Sequence, residues 1–525
     1  MHHAVLKGLA IAAVAFAASA ASAQLRIATY NTLHGPNPGT PTVLQAIGLE
    51  RVNGFAKPVD VLLLQEQDEP FTSTQEIVNQ LNALYGAGTY RRGLVATGPS
   101  YSDIRQTVIY RAESVQLIDE RAIGAAGGNP LPARQALRAR FRPVGYGEEA
   151  DFYVYNNHYK AGGAPSDFDR RAAASRVIRT DADSLGGDAH VIFGGDFNLR
   201  SSFDDAFVEL TRAGDSQAFD PAAFPGQWKN NFGARTVHTH GNTDVDDRFD
   251  FLLPTTEWRD GEGLDLIDGS YHVLGNNGST YNLPVNSLAN TYEFDFGEGA
   301  SLTRADVLNA LFTASDHLPV VADFQLPAVL TAWLGDHPLT ALAGQPLGVD
   351  VFVENVADVL TPLGADELDF AIEWSGATAS TAGQLTGVDL ADGLPAMRTV
   401  QLDTSVVGQQ TATLLVTTDS QGAAGGPFRF DLTYEVFAAL AGDYNTDGRV
   451  DAADYTLWRD GLGAAYEPGD YTVWADAYGA TTPTTGVPEP AAGAMLVVAV
   501  SLLSTRRLPT HLSTHLSTRR RGARR

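Results

Sequence analysis

Short apolar runs alternate with segments of helical spacing through the first 327 residues of the chain. The apolar runs predict β-strands over residues 25–30, 59–64, 107–111, 115–118, 136–141, 151–156, 189–194, 249–253 and 320–324. Apolar positions three and four residues apart predict helices over residues 43–55, 74–84, 169–185 and 204–213. We expect the adjacent strands 107–111 and 115–118 to pair, and residues 227–247 and 271–299 to be irregular. Strands with helices inserted between them predict an α/β fold with two packed sheets and outer helices.

The pattern changes at Pro327. From residue 328 to 437 the helical spacing disappears, and four segments alternate apolar and polar positions with turn residues between them. This pattern predicts a small β-sandwich. We find no nucleophile–base pair or metal-ligand cluster in this sequence, so we expect a structural role or one that faces carbohydrate or protein.

The charge of the chain is strongly acidic and unevenly distributed. The formal net charge is −26 over 525 residues, and seven arginines lie between residues 506 and 525, so the rest of the chain stands near −33. This negative charge argues against broad electrostatic binding of the chain to duplex nucleic acid. It leaves a phosphate substrate open, because a bound divalent cation reverses the local sign of the field. The length predicts two to four domains.

The N-terminal 23 residues have the pattern of a secretory signal peptide. Lys7 precedes an apolar run, and Ala21-Ser22-Ala23 offers a small-residue cleavage site before Gln24. An amphipathic N-terminal helix is the alternative. The chain has no cysteine, so we expect an exported protein whose domains are stabilised by core packing, with calcium as a further candidate, rather than by disulfides.

Residues 443–454 have the spacing of a calcium-binding loop. Oxygen ligands fall at Asp443, Asn445, Asp447, the main-chain carbonyl of Arg449, Asp451 and Asp454, with Gly448 at the sixth position for the sharp turn. With the partial echo of residues 454–458 at 470–474, the segment 438–480 resembles a dockerin type I module. The resemblance implies a small helical segment that binds Ca²⁺ and a cohesin-like or cell-surface partner. An acidic surface turn is the alternative.

The C-terminus combines a short motif, an apolar run and a basic tail. Val487-Pro488-Glu489-Pro490 precedes a nearly apolar stretch over residues 491–503 and then the arginines. This stretch is shorter than the about 20 residues of a membrane span. Residues 487–525 resemble the PEP-CTERM sorting signal of exported bacterial proteins, which implies recognition by membrane sorting machinery and a secreted or cell-surface bacterial protein. A simple amphipathic or disordered tail is the alternative.

Polar side chains follow the ends of predicted strands between residues 25 and 327. They are Asn31, Gln65-Glu66, Asn156-Asn157-His158, Asp196 and Asn198 in a Gly-Asp-Phe-Asn sequence, Asp250 after Arg248, and Ser315-Asp316-His317. Loops at strand ends can present such groups at one edge of a sheet, and the glycines before Asp196 allow close approach of a ligand. Taken singly, each has a structural explanation. His158 can be a buried structural imidazole, and Asp250 can pair with Arg248.

Together these motifs resemble the endonuclease/exonuclease/phosphatase superfamily, which includes DNase I, exonuclease III-type abasic endonucleases, inositol polyphosphate phosphatases and neutral sphingomyelinases. The resemblance rests on GDFN, on the later SDHLPV, on the earlier Gln-Glu pair and on the His-x-Lys motif between them. It implies a four-layer α/β sandwich (DNase I-like) over residues 24–327. It also implies hydrolysis of a phosphate ester with Mg²⁺ or Mn²⁺, which agrees with the need for a hard cation to neutralise phosphate oxygens.

The resemblance assigns a role to each polar side chain. The metal ligands it implies are Glu66 as the principal one, Asn31 and Asp316. The catalytic residues it implies are Asp196 for the attacking water, Asn198, His158 and His317 as donors to the phosphate, and Asp250 as the residue that orients His317. Substrate contacts are assigned to Arg134, Asn157 and Lys160. Whether Asp196 or His317 acts as the base stays open at this stage.

The sequence favours an exported phosphodiesterase or nuclease that acts on a phosphate ester. A sphingomyelinase-like lipid phosphodiesterase is the enzymatic alternative, and a cell-surface adhesion protein with a vestigial catalytic domain is the alternative of another class. The pairs Arg91-Arg92 and Arg170-Arg171 are candidates to hold a nucleic-acid strand, although such pairs are also common on solvated faces. We expect a monomer.

Overall fold

A computed structural model describes residues 24–69, 71–97, 104–128, 131–241, 243–377 and 384–482. The predicted signal peptide (1–23) and sorting signal (487–525) lie outside these residues. The described chain divides into two compact units. The larger unit extends to His337 and includes Pro346–Asp403 and Thr411–Thr433, and the smaller unit contains Pro338–Gln345, Thr404–Gln410 and the chain from Tyr434.

Two mixed β-sheets form the centre of the larger unit. The first has the strand order β10-β11-β1-β2-β4-β3, with β1 Gln24–Asn31, β2 Val61–Gln67, β3 Tyr90–Arg92, β4 Arg105–Arg111, β10 His272–Val273 and β11 Val320–Gln325. The second has the order β5-β6-β7-β8-β9, with β5 Val115–Ile123, β6 Ala136–Pro143, β7 Phe152–His158, β8 His190–Asp196 and β9 Asp250–Pro254. In each sheet the central pair is parallel: β1 with β2 and β7 with β8. The carboxyl ends of these four strands carry Asn31, Glu66, His158 and Asp196, whereas Asp250 begins β9 and His317 precedes β11.

The two sheets pack face to face and are covered by helices. A Cβ placed on Gly194 in β8 would lie 2.4 Å from the Leu63 side chain of β2, so a glycine is needed where the sheets approach. One apolar cluster contains buried residues of both sheets and of the helices α1 Thr40–Leu49, α2 Ser73–Tyr85 and α5 Arg304–Ala314. A second cluster lies between β8 and the helices α3 Pro165–Asp183 and α4 Asp205–Thr211. Since apolar faces bury against one another, the packing order is helices, sheet, sheet, helices.

The region after Pro327 is also built from strands. In the larger unit β12 Leu330–Leu334, β14 Gly348–Asn355 and β17 Ala396–Gln401 form one sheet, and β15 Leu368–Gly376 pairs with β16 Gln384–Asp389 and with residues 412–418 of β18 Gly408–Thr418. Buried and half-buried residues alternate along β14, as expected for strands with one face on a core. In the smaller unit β13 Thr340–Leu342 runs parallel to the end of β19 Phe428–Phe437, and the helices are α6 Ala452–Gly461 and α7 Asp470–Ala477. No helix among the described residues has the length and apolar character needed to cross a membrane.

Four details differ from the sequence-based expectations. The predicted pairing of 107–111 with 115–118 is wrong, because β4 pairs with β2 and β3 whereas β5 pairs with β6 in the other sheet. The helix predicted over 43–55 ends at Leu49, because Glu50 has an extended backbone, and Asn53 and Gly54 then adopt positive φ values in a turn. The helix α5 was not predicted at all. The predicted irregular stretch 271–299 contains the short strand β10.

Candidate active site

The carboxyl ends of β1, β2, β7 and β8 bring four of the predicted residues together. The Asn31 side-chain nitrogen Nδ2 lies 3.1 Å from Oε1 of Glu66 and 3.2 Å from Oδ2 of Asp196. His158 Nε2 lies 3.6 Å from each of the same two carboxylate oxygens. Residues from both sheets, up to 165 positions apart in the chain, therefore surround one small polar space.

A backbone irregularity positions Glu66. The β2–β4 pairing shifts register between Leu64 and Gln67, and Glu66 has a φ of 55°. A positive φ is costly for a glutamate, and such conformations persist where the surrounding structure imposes them, often at functional sites. The bulge turns the carboxylate towards the strand ends, where 17% of the side chain stays exposed.

Asp196 ends β8 and is held by the Asn198 that follows it. Its Oδ1 accepts hydrogen bonds from the backbone nitrogen of Asn198 at 2.9 Å and from that side chain at 2.8 Å. Asn198 has a φ of 50°, and Gly195 has a φ of 125° where a Cβ would lie 2.1 Å from the Asn157 carbonyl. Burial, reinforced by the charges of Asp250 and Glu66, raises the pKa of Asp196 to about 7.

The two predicted histidines have opposite electrostatic environments. Burial lowers the pKa of His158 well below its ordinary value, with further contributions from Arg134 and His317. Burial acts in the same direction on His317, but the charges of Asp250, Asp196 and Asp316 outweigh it and raise its pKa to about 10. At neutral pH His158 is therefore neutral and His317 carries a positive charge.

Asp250 contacts His317 and does not pair with Arg248. His317 Nδ1 lies 2.7 Å from Oδ2 of Asp250, which also accepts a 2.7 Å hydrogen bond from the Thr239 hydroxyl. Arg248 instead makes a bidentate pair with Asp220 at 2.7 and 2.8 Å. The alternative in which Arg248 neutralises Asp250 is therefore wrong, and the Nε2 of His317 faces Asp196 Oδ2 at 3.9 Å.

Asp316 and Glu66 lie in different side-chain groups. Among the described residues, the donor atoms of Glu66, His158 and Asp196 form one group that could hold a metal ion, and those of His240, Asp316 and His317 form another. Sequence reasoning missed His240, because it lies in a stretch that was interpreted as an irregular loop. The signal available was a pair of histidines two residues apart, His238 and His240.

The predicted substrate-binding residues contact the protein itself. Arg134 donates to the carbonyls of His158 and Tyr159 at 3.3 and 2.9 Å. Asn157 donates to the Tyr155 and Gly194 carbonyls and is buried. The Lys160 amine lies 2.6 Å from the Ala161 carbonyl and 3.5 Å from Asp167. These contacts fix the strand β7 and the loop after it.

The basic pairs considered for strand binding also contact the protein. Arg171 is buried and donates to the carbonyls of Lys160 and Gly162, and Arg170 donates to the Leu131 carbonyl at 3.3 Å. The Arg92 guanidinium lies 4.6 Å from the Phe71 ring centroid. Their hydrogen-bonding capacity is directed in part to neighbouring loops.

The donor set at the strand ends fits a divalent cation. The ion-pair partners of Glu66, Asp196 and Asp316 within the described residues are all histidines. Oδ1 of Asp316 is buried and has no hydrogen-bond partner in the described part of the chain. Carboxylates brought together in this way repel one another, and carboxylate and amide oxygens are the ligands that hard cations prefer.

The residues of the predicted calcium loop are held by their own backbone. Asp443 accepts from the backbone nitrogens of Asp447 and Gly448 at 3.2 and 2.9 Å, and Asp454 accepts from those of Asn445 and Asp451 at 3.0 and 2.8 Å. The Asn445 side chain contacts Asp447, and Arg449 donates its backbone nitrogen to Asp447. Gly448 has a φ of 82°. Calcium binding at this loop stays a prediction.

Three solved structures illustrate the similarity of the chain to known proteins. An endonuclease/exonuclease/phosphatase from Bacteroides vulgatus is 16% identical, over 58% of this chain and 99% of that one, with a TM-score of 0.36. The human Nocturnin catalytic domain with bound sulfate is 14% identical, over 58% and 94%, at 0.36. D. rerio TDP2 complexed with single-strand DNA product is 16% identical, over 57% and 99%, at 0.35. A search of curated proteins gave no match.

The family comparison covers the part of the chain that carries the strand-end residues. Residues 28–317 match the model of the Endonuclease/Exonuclease/phosphatase family, and this range contains every residue of the active-site cluster from Asn31 to His317. The match spans more than half of the 525 residues. The chain belongs to the Endonuclease/Exonuclease/phosphatase family.

Proposed function

We propose that this protein is a divalent-metal-dependent phosphodiesterase that cleaves a P–O bond by in-line attack of water. The observation that carries the proposal is the convergence of Asn31, Glu66, His158, Asp196 and His317. Each of these side chains lies within 4 Å of another member of the set. Such a set can bind a cation, orient water and donate to a phosphate at the same edge of the two sheets.

Glu66 would hold Mg²⁺ or Mn²⁺ directly. Asp316, which belongs to the other donor group, would complete the shell through water, and Asn31 would do so after its side-chain amide turns its oxygen towards Glu66. When bound, the ion supplies neutralisation of the phosphate charge. The chain then has to provide the proton transfers and the hydrogen bonds that stabilise the pentacoordinate state.

We assign the base to Asp196 and not to His317. The pKa of Asp196, raised to about 7 by burial, suits a group that takes a proton near neutral pH. Its Oδ1 is fixed by Asn198, so Oδ2 is the oxygen left to face the water and the other polar groups. A protonated His317 has no free lone pair with which to act as a base.

His317 and His158 donate to the phosphate in this proposal. The Asp250 carboxylate holds His317 protonated with its Nε2 hydrogen directed towards Asp196 and the reaction space. The neutral His158 can donate from Nε2 without competing for the proton of the attacking water. The side-chain amide of Asn198 donates to Asp196 and to the Tyr159 carbonyl, and it would act as a phosphate donor only by exchanging one of these contacts.

The proposal also includes where the protein acts and what it attaches to. The predicted signal peptide and the predicted C-terminal sorting signal support a secreted or cell-surface location in a bacterium. The segment 438–480 supports Ca²⁺ binding and a cohesin-like or cell-surface partner, and the chain would act as a monomer. The substrate is a phosphate ester such as nucleic acid, lipid or a small phosphodiester.

The proposal is tested with metal-depleted protein on plasmid DNA, bis-p-nitrophenyl phosphate and sphingomyelin, with Mg²⁺ or Mn²⁺ added back. We expect metal-dependent turnover that Glu66→Gln abolishes and that Glu76→Gln, on the exposed face of α2, leaves unchanged. Cleavage of sphingomyelin alone would favour the lipid enzyme. A folded protein that is inactive on all three substrates would refute the enzymatic proposal in favour of the adhesion protein.

A further inference from the structure

His240, Asp316 and His317 form a compact group of two imidazoles and one carboxylate. His240 Nε2 lies 3.7 Å from Oδ2 of Asp316, and His317 Nε2 lies 4.0 Å from Oδ1 of the same carboxylate. One donor atom from each residue lies within 4.8 Å of the other two. The hydrolytic reaction proposed above uses Asp316 and His317 but gives no role to His240.

The backbone holds this group together. His240 and His317 form an antiparallel bridge, Gly241 donates its backbone nitrogen to the Asp316 carbonyl at 2.8 Å, and Leu318 donates to the Thr239 carbonyl at 2.6 Å. The ring centroids of His240 and His317 are 4.7 Å apart. Because both segments are tied by main-chain hydrogen bonds, the donor atoms are positioned before any ion binds.

Two further contacts have the form found around metal ligands. The Nδ1 of His317 is committed to Asp250 at 2.7 Å, which leaves Nε2 as the coordinating nitrogen. Carboxylate–histidine pairs of this kind orient imidazole ligands in metal sites. In addition, Oδ1 of Asp316 is buried without a hydrogen-bond partner among the described residues, and it is the oxygen that faces His317.

The donor types distinguish this group from a magnesium site. Mg²⁺ prefers oxygen ligands in octahedral geometry, whereas two imidazoles with one carboxylate suit zinc and similar transition metals. Tetrahedral Zn²⁺ with bonds of 2.0–2.1 Å places its ligand atoms ~3.3 Å apart. The observed 3.7 Å from His240 to Oδ2 and 4.0 Å from His317 to Oδ1 exceed that spacing by about 0.4 and 0.7 Å, and all three donor atoms lie within 4.8 Å of one another, so the side chains must move closer together around an ion.

We propose that His240, Asp316 and His317 bind a divalent transition-metal ion of the zinc type, with a fourth position open to solvent. An ion at this place occupies the Nε2 of His317 and so removes it from Asp196. The inhibitory consequence rests on the proposed function, because it requires His317 to donate to the phosphate. The binding site itself does not depend on that function.

The test uses the full chain without an affinity tag. Zn²⁺ binding is measured by calorimetry, and Co²⁺ binding is measured by the visible absorption spectrum of the bound ion. Excess Mg²⁺ and Ca²⁺ are present to occupy the proposed magnesium site at Glu66 and the predicted calcium loop. The variants are His240→Ala and Asp316→Asn, and the control is His34→Ala, a half-exposed histidine whose Nε2 lies 3.9 Å from Glu66. Circular dichroism and thermal melting verify that each variant is folded.

We expect His240→Ala to weaken Zn²⁺ binding by at least about tenfold, the lower limit for loss of even an outer-shell partner, and to abolish the Co²⁺ band. Asp316→Asn should do the same, and His34→Ala should bind as the wild type. Unchanged binding and an unchanged Co²⁺ band in folded His240→Ala would overturn the site. Zn²⁺ binding that His240→Ala abolishes, without inhibition of turnover, would overturn the inhibitory consequence and leave the phosphodiesterase proposal intact.

Discussion

Replacing Asp250 with asparagine removes the buried charge beside His317 and keeps an oxygen that can accept the same 2.7 Å hydrogen bond. The charge of Asp250 is the foremost of the effects that raise the pKa of His317 to about 10 against the opposing effect of burial. Loss of one neighbouring charge lowers a pKa by roughly 1–3 units. In Asp250→Asn we therefore expect the pKa of His317 to lie between about 7 and 9.

The assay is the pH dependence of kcat/KM for bis-p-nitrophenyl phosphate with Mg²⁺. The proposed reaction requires protonated His317, so activity falls as pH rises through the pKa of His317. At pH 9 a pKa of 8 leaves about one tenth of the imidazole protonated, whereas a pKa of 10 leaves about nine tenths. The variant should consequently lose about ninefold more activity than the wild type between pH 7 and pH 9, in addition to any loss at pH 7.

Thr239→Val is the matched control for Asp250→Asn. It removes the hydroxyl that donates to Asp250 at 2.7 Å but leaves the carboxylate charge in place. We expect the alkaline limb of the pH–rate profile of Thr239→Val to stay close to that of the wild type. An alkaline limb that does not move in folded Asp250→Asn would refute the assignment of His317 as a protonated donor.

Three further predictions follow from other groups. Asp196→Asn should lower kcat by about 10²–10⁴-fold and raise the Tm above pH 7, because burial opposes the charge of Asp196; an unchanged kcat would contradict its role as base. Burial raises the pKa of Asp366 to about 7, so the stability that the protonated Asp366 contributes is lost as pH rises through 7. The Tm of Asp366→Asn relative to the wild type should therefore increase between pH 5 and pH 8, and a constant Tm difference in melting scans would contradict this. Removal of Ca²⁺ with EGTA should increase proteolytic cleavage within residues 443–479 and spare the larger unit, and equal cleavage with and without Ca²⁺ would refute calcium binding there.

The strand-end residues could be predicted because each follows an apolar run directly in the sequence. A parallel strand pair ends at one edge of its sheet, so strand assignment places Asn31 near Glu66 and His158 near Asp196. The packing of the two sheets and the bulge at Glu66 then bring the two pairs together. The sequence does not indicate which side chains pair with one another. Arg248 and Asp220 meet across 28 residues, and nothing in the local pattern favours that pair over Arg248 with Asp250.

The incorrect predictions about the fold concern features that depend on tertiary contacts. Residues 107–111 and 115–118 look like a hairpin, but both edges of β4 are occupied by β2 and β3, and the chain crosses to the other sheet. Local sequence signals mark the end of α1 and the start of α5. Asn53-Gly54 is a turn dipeptide, and Thr303 with Asp306 forms a capping box at the start of α5.

The register shift in β2 makes the position of Glu66 depend on chain length as well as on residue type. From Leu64 to Gln67 the strand β2 takes three steps where its partner β4 takes two, so a one-residue deletion there would remove the bulge and leave Gln67 opposite Arg105. A glutamate placed in the shortened strand would then follow the regular ladder, without the positive φ that turns Glu66 towards the strand ends. Insertion and deletion scanning of β2 therefore examines a determinant of this site that libraries of point substitutions leave untouched.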